Sequence, residues 1–170
     1  YSSAASDVYK RQAMTFAIRV RLETVFGPDG MGLSLEQIGY AFMPAFWGFT
    51  LAIILGGQLV DNIGMKKGMW LAFFCHAIGI TLTLTAYDFS SLFIATIVMG
   101  LGNGMVEAVC NPLVARMYPL DKTKMLNRFH LWWPAGIVIG SIVSLILMDI
   151  LGLGWQMMVG SLFIPCLLYT

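Results

Sequence analysis

The chain has 170 residues, of which 58% are hydrophobic and 11% charged, with a mean hydropathy of +0.78. A soluble domain carries about a quarter charged residues, so this composition excludes one and points to a protein that crosses a membrane several times. The formal net charge of +1 says nothing about an acidic partner, and no nucleic-acid partner is expected; the placement of the charges carries the information.

Both ends are set aside before the fold is read. SSAASDVYKRQ, Ser2 to Gln12, can be encoded by a string containing TGTGTATAAGAGACA. CLLYT, Cys166 to Thr170, can be encoded by TGTCTCTTATACACA, its reverse complement. That inverted relation is what a library-preparation adapter leaves at both ends of one insert, and the strings resemble a widely used transposase adapter. Residues 1–12 and 166–170 are therefore expected to be translated adapter, and 13–165 a natural stretch cut at both ends. Cys166 then falls away. Cys75 and Cys110 remain in apolar segments without metal-ligand spacing and read as small hydrophobes, not as a disulfide.

A bilayer core of about 30 Å needs about 20 apolar residues per helix. Ala13–Ile18 reads as the exit of an earlier span, followed by a polar loop with Arg19, Arg21, Glu23 and the turn GPDG at Gly27–Gly30. Complete spans are expected at about 38–60, 68–87, 89–115 and 129–148, and a truncated one at 151–165. The loop after the first complete span holds Lys66 and Lys67. The loop after the third holds Lys122 and Lys124, flanked by Arg116 and Arg128. The connections around Asp88 and Asp149–Gly154 hold no Lys or Arg, so the basic loops are expected on the cytoplasmic side. Arg19 and Arg21 count against this orientation but are outnumbered.

Small residues recur at helical spacing: Gly100 with Gly104, and Gly136 with Gly140 and Ser144. Such stripes let helix backbones approach closely in lipid. Pro44 and Pro134 interrupt spans, and MPAFWG (Met43–Gly48) echoes WPAGIV (Trp133–Val138), as internal repeats do in transporters.

GGQLVDNIGMKKG, Gly56 to Gly68, joins two spans. Gly57 is expected to permit tight helix contact, Asp61 to cap or pair near the helix end, and Gly64 to allow a sharp turn. The spacing resembles the loop motif of the major facilitator superfamily, G-x-L-[AV]-D-x-x-G-[RK]-[RK], between its second and third helices. Met65 departs from the pattern, with the positive charges following it. The resemblance implies an all-α membrane protein, here a partial helix bundle from the end of helix 1 through the start of helix 6. It also implies a cytoplasmic gating role for Gly57, Asp61, Gly64, Lys66, Lys67 and Arg116.

Glu107 is the one charge within 89–115 and lies roughly 7.5 Å beyond the span's midpoint at about 1.5 Å per residue. Asn103, Glu107 and Asn111 are spaced by four and so face one direction. A charge at membrane depth costs about 2.5–3.5 kcal/mol on insertion scales, so the stripe is expected to face the bundle interior or a wet cavity. Pro112 leaves irregular backbone there, which is tolerated where it is buried or lines a cavity. The alternatives are a structural polar cluster and a solute site with a titratable group.

GLGNGMVEAVCNPLVA (Gly100–Ala115) followed by LNRFHLWWPAG (Leu126–Gly136) resembles the fourth and fifth helices of the fucose permease branch, the sugar:proton symporters. Glu107, Asn111 and Pro112 match that branch's E-x-x-x-N-P pattern, which implies sugar recognition and proton coupling at Glu107. His130 aligns near the sugar site and either bonds a hydroxyl or meets the interface beside Arg128. Trp133 offers a sugar ring an aromatic face, or anchors at the interface. His76 reads as a satisfied interior histidine.

The expected function is secondary transport by alternating access, most directly proton-coupled symport of a monosaccharide. The partners would be a sugar, protons, the lipid bilayer and the missing carboxy-terminal half, in a bacterial inner membrane. Neither cofactor nor metal is expected. No nucleophile–base pair or phosphate loop suggests an enzyme. Efflux of another solute and a non-transporting receptor or scaffold are the rival readings.

Overall fold

The computed structural model describes residues 2–164, with side chains from residue 6. It is built of helices, with no strand among the described residues: α1 (Ser2–Phe26), α2 (Leu35–Phe42), α3 (Pro44–Ile63), α4 (Met65–Leu84), α5 (Phe89–Met117), α6 (Lys122–His130), α7 (Trp132–Ser144), a π-helical turn (Leu145–Ile150) and α8 (Trp155–Gly160). Four stretches are long and apolar enough to cross a membrane: Leu35–Ile63, Met65–Leu84, Phe89–Met117 and Lys122–Ile150. Residues 166–170, read as adapter, lie outside the described residues.

Several boundaries move. Arg19, Arg21 and Glu23 stand on the last turns of α1 rather than in a loop, because the first residues able to break that helix are Gly27 and Pro28. The turn itself closes where predicted, Gly30 N–H donating to Gly27 O at 2.9 Å. Lys66 and Lys67 likewise belong to the first turn of α4. The connection before them is Gly64 alone, at φ 86°, a left-handed conformation that glycine adopts without a steric penalty. Lys122 and Lys124 open α6 rather than sitting in a loop. Residues 2–12 run helically into α1, with Tyr9, Arg11 and Gln12 buried.

Two spans are broken in the same manner. Met43 separates α2 from α3 just before Pro44, and Leu131 separates α6 from α7 three residues before Pro134. A proline suits the first turn of a helix, where its missing N–H has no partner to lose. Pro112 behaves differently: α5 continues through it to Met117. The starts of α2 and α5 are capped by side chains. Ser34 Oγ accepts from Gln37 N–H at 3.1 Å, and Ser34 N–H donates back to Gln37 Oε1 at 2.9 Å. At α5, Asp88 accepts from Ser91 Oγ and N–H, which holds its carboxyl below the usual carboxylate range.

The central helix is α5, packed between α3 and α4. Its seam with α3 is made by small residues: a Cβ added at Gly48 would meet Leu101 N at 2.9 Å, and one at Gly104 would meet Ala52 Cβ at 2.7 Å. Gly136 and Gly140 of α7 seat the same way on Ala13 and Met14 of α1. The structure reassigns one glycine of the loop motif. Gly57 is exposed with nothing near enough to need its missing side chain, whereas Gly56 is buried against Met105 and Ala108. The two differ by one helical step of 100°, enough to leave the α5 face.

Two apolar cores result. One, at the end distant from the basic turns, gathers Ile18, Leu22, Phe26, Ile38, Ile80, Leu92 and Met158. The other gathers Val60, Ala72, Val106, Val109, Val114 and Phe129. Between them, Gln12, His76 and Asn103 are buried polar side chains.

At the end distant from the basic turns, Arg21 of α1 pairs with Asp149 of the π-helical turn. Both side chains are substantially exposed, at 38% and 47%, so the pair is worth about 0.2–1 kcal/mol. A double-mutant cycle on Arg21→Ala and Asp149→Ala is expected to give a coupling below about 1 kcal/mol. A larger coupling would show the pair to be a clamp rather than a surface contact.

Candidate functional site

The expected stripe on α5 divides. Glu107 is buried, 8% exposed, and its Oε2 accepts from Asn111 Nδ2 at 2.9 Å. Asn103, 2% exposed, turns the other way: its Oδ1 lies 2.8 Å from His76 Nε2, and its Nδ2 reaches Thr15 Oγ1 at 3.5 Å. Positions four apart drift by about 40° per step at 100° per residue. Asn103 and Asn111 therefore stand about 80° apart, with Glu107 between them. That drift sends Asn103 toward α4 and α1 while Asn111 stays with Glu107.

Arg11 Nη2 lies 2.5 Å from His76 Nδ1. Arginine only donates, so Nδ1 is the acceptor and the ring proton sits on Nε2, donating to Asn103 Oδ1. His76 is thus a satisfied interior histidine in this structure.

Glu107 opens onto a cavity of about 340 Å³ whose lining is Tyr9, Phe49, Glu107, His130, Trp133 and Pro134. Small-molecule sites run from roughly 300 to 1,000 Å³. Three of the side chains singled out in the sequence, Glu107, His130 and Trp133, meet here; Asn111 joins through its hydrogen bond, and Asn103 does not. His130 Nδ1 lies 2.5 Å from Tyr9 Oη, and the Tyr9 and Trp133 ring centroids are 5.5 Å apart. Asn111 Oδ1 is buried with no hydrogen-bond partner among the described residues. A buried amide oxygen is rarely left so. The arrangement thus offers a carboxylate, an imidazole and an indole face on one wall, with Asn111 bonded to the carboxylate but outside the lining.

Sequence reasoning did not reach Phe49 or the pairing of His76 with Asn103. Phe49 is one apolar residue among many in its span, and only the rotation of α3 against α5 selects it. The residues of the Gly56–Gly68 motif and Arg116 are less organised. Asp61, Lys66, Lys67 and Arg116 are all exposed, and no ion pair joins Asp61 to any of the three cations among the described residues.

Residues 13–170 match the Major Facilitator Superfamily. The chain belongs to that superfamily. Its all-α bundle is part of the superfamily's fold, and the chain is an integral, multi-pass membrane protein of a transporter family. It is 27% identical over 146 residues to a hexuronate transporter of Bacillus subtilis, covering 78% of this chain and 35% of that protein. It is 26% identical over 157 residues to a di-/tripeptide transporter of Lactococcus lactis, covering 91% and 29%. It is also 24% identical over 140 residues to a D-xylose-proton symporter-like protein of Arabidopsis thaliana, covering 82% and 28%. The chain spans about a third or less of the length of these relatives.

Proposed function

We propose that residues 13–165 are the greater part of the amino-terminal half of a secondary transporter that moves a monosaccharide together with protons. The likeness of Glu107, Asn111 and Pro112 to the E-x-x-x-N-P pattern supports the fucose permease branch, in a bacterial inner membrane. The observation that carries this reading is the Glu107 cavity. A buried carboxylate held by Asn111, on the same wall as an imidazole and an indole face, suits a solute rich in hydroxyls. Glu107 takes up and releases the proton, Asn111 Oδ1 and His130 hold hydroxyls, and Trp133 stacks on the ring. Asn103 supports this wall from behind through His76. Asp61, Lys66, Lys67 and Arg116 serve the cytoplasmic gate, with their partners in the carboxy-terminal half. Two of the relatives carry names of sugar-type solutes, which supports the choice. The di-/tripeptide relative favours a different solute on the same frame.

Residues 2–12 and 166–170 are adapter-encoded on this reading. For residues 2–12 this is supported by the family match, which begins at residue 13 and runs through 166–170, and by both amide atoms of Gln12, buried without a hydrogen-bond partner among the described residues. Such atoms typically cost about 1–3 kcal/mol and are rare in native interiors. Tyr9 and Arg11 then occupy places that the transporter's own first helix fills differently.

The test is transport by the full-length protein carrying this segment, reconstituted in proteoliposomes. Addition of fucose, xylose or glucose is expected to alkalinise the outside as sugar and protons enter together. Sugar uptake without any pH change would remove the proton. Neither uptake nor pH change, with a dipeptide taken up instead, would move the solute to another class.

A further inference from the structure

We infer that the Phe16 ring, held between Phe46 and Trp133, is a gate that closes the Glu107 cavity on the side away from the basic turns; this rests on the transport reading above. Two cavities lie one after the other along α1, with no lining residue in common among the described residues. The Glu107 cavity is walled by Phe49, His130 and Trp133, and a second, of about 430 Å³, by Arg19, Glu23, Phe42 and Phe46. On α3, Phe46 lines the second and Phe49, about one turn further on, the first. That helix ends at Ile63, next to Lys66 and Lys67, so the second cavity is the more distant from the basic turns. On α1, Tyr9 lines the first and Glu23 the second. Phe16 stands midway between these two in the sequence, about 10 Å and close to two full turns from each at about 1.5 Å per residue. Tyr9, Phe16 and Glu23 therefore share one face of α1: cavity, ring and cavity in turn.

Ring contacts fill the space between the two cavities. Phe16 lies 5.8 Å from Phe46 and 5.2 Å from Trp133 between centroids, tilted at 54° and 55°. Phe46 belongs to the second cavity and Trp133 to the first, so a solute passing between them along α1 meets this layer. Both outer rings ride on proline breaks. Phe46 follows Pro44 closely, and its N–H reaches back only to Met43 O, at 3.0 Å; Trp133 adjoins Pro134, and Ala135 N–H reaches Leu131 O at 3.4 Å. A proline removes one hydrogen bond of the helical ladder, so each span can bend there at low cost. Tilted ring pairs lose no hydrogen bond when they part. Phe16 also borders a void of about 50 Å³ beside Met99 and Asn103 of α5, which leaves its ring room to turn. All three rings fall within 13–165. Alternating access requires a site to be shut on one side while it is open on the other, and this layer is placed to do the shutting.

The test uses the full-length transporter in proteoliposomes with an imposed pH gradient. Decay of that gradient without sugar is followed alongside fucose counterflow. Phe16→Ala is expected to speed the decay about tenfold or more, as loss of an element that sequesters the site from water, with fucose still bound by tryptophan fluorescence. Phe16→Leu is expected to hold the gradient as the wild type does, since exchanges that keep apolar volume are tolerated best. Phe46→Ala, on the other side of the layer, is expected to leak as Phe16→Ala does, and it decides the matter if Phe16→Ala does not fold. A gradient held by both alanine variants overturns the gate and leaves the sugar site standing. A leak as large in Phe16→Leu also overturns it, because apolar bulk at that place would then not be what seals the cavity. Failure of the wild type to exchange fucose overturns the sugar reading; a sugar-free leak in the alanine variants would still support the gate, and its absence would overturn that as well.

Discussion

Glu107→Gln is expected to abolish sugar-driven proton uptake in the reconstituted full-length transporter while leaving sugar binding within about tenfold of wild type. The substitution keeps the side chain's size, and its amide oxygen can still accept from Asn111 Nδ2, now 2.9 Å from Oε2. What it removes is the capacity to gain and lose a proton. A neutral hydrogen bond contributes about 0.5–1.5 kcal/mol net and a charged one about 1.5–3, so exchanging one for the other weakens solute binding by roughly tenfold at about 1.4 kcal/mol per decade. Coupling, by contrast, needs a titrating group and should fall to background. The measurement is paired: sugar counterflow, which needs only binding and alternation, and external pH on sugar addition. Counterflow retained with the pH signal lost is the expected pattern. Coupled uptake at wild-type rate in the variant would show that another group carries the proton. Loss of folding would make Glu107 a structural member of α5.

The second large effect concerns packing. Gly104→Leu is expected to lower the thermal stability of the solubilised chain by roughly 6–12 °C. At Gly104 the first added carbon would meet Ala52 Cβ at 2.7 Å and the backbone carbonyl of Phe49. A carbonyl cannot rotate aside as a side-chain tip can, so α3 and α5 must separate. Overpacking a tight contact costs about 1–3 kcal/mol, and leucine falls at the top of that range. About 3 kcal/mol corresponds to 2–4 °C for each kcal/mol in a chain of this size. Gly57→Ala is the control. Nothing lies within 4 Å of the carbon it adds, and alanine favours helix by up to about 1 kcal/mol. Stability there should be unchanged or slightly higher. A similar fall in both variants would mean that glycine acts through the chain's own flexibility and not through the α3–α5 seam.

That contrast bears on what could be read in the sequence. Hydropathy located the membrane helices because a span needs a fixed apolar length, and the spacing of Gly100 with Gly104 revealed a packing face. Which of Gly56 and Gly57 packs depends on the rotation of α3, to within one residue step, and no local pattern carries that angle. The same applies to the polar stripe. Spacing by four put Asn103, Glu107 and Asn111 on one side of α5, but α5 is enclosed on two flanks. A drift of about 40° per step is then enough to send Asn103 to a different neighbour. Arg19 reads as a loop cation because its turn is polar. The Phe16, Phe42 and Phe46 rings around its guanidinium come from α1, α2 and α3 and converge only in the fold.

The π-helical turn at Leu145–Ile150 has a consequence for the span it ends. Leu151 N–H donates five residues back, to Ile146 O, at 2.9 Å. Gly136, Gly140 and Ser144 form a line four residues apart along the buried side of α7. Continued as an α-helix, that line would leave Asp149, five residues past Ser144, about 140° out of phase at 100° per residue. The wider turn acts as a phase shifter, bringing a residue five places on back toward the starting azimuth. One side of the helix can thereby seat glycine on α1 in the membrane and still aim a carboxylate at Arg21 above it, two demands that a uniform helical period would set against each other.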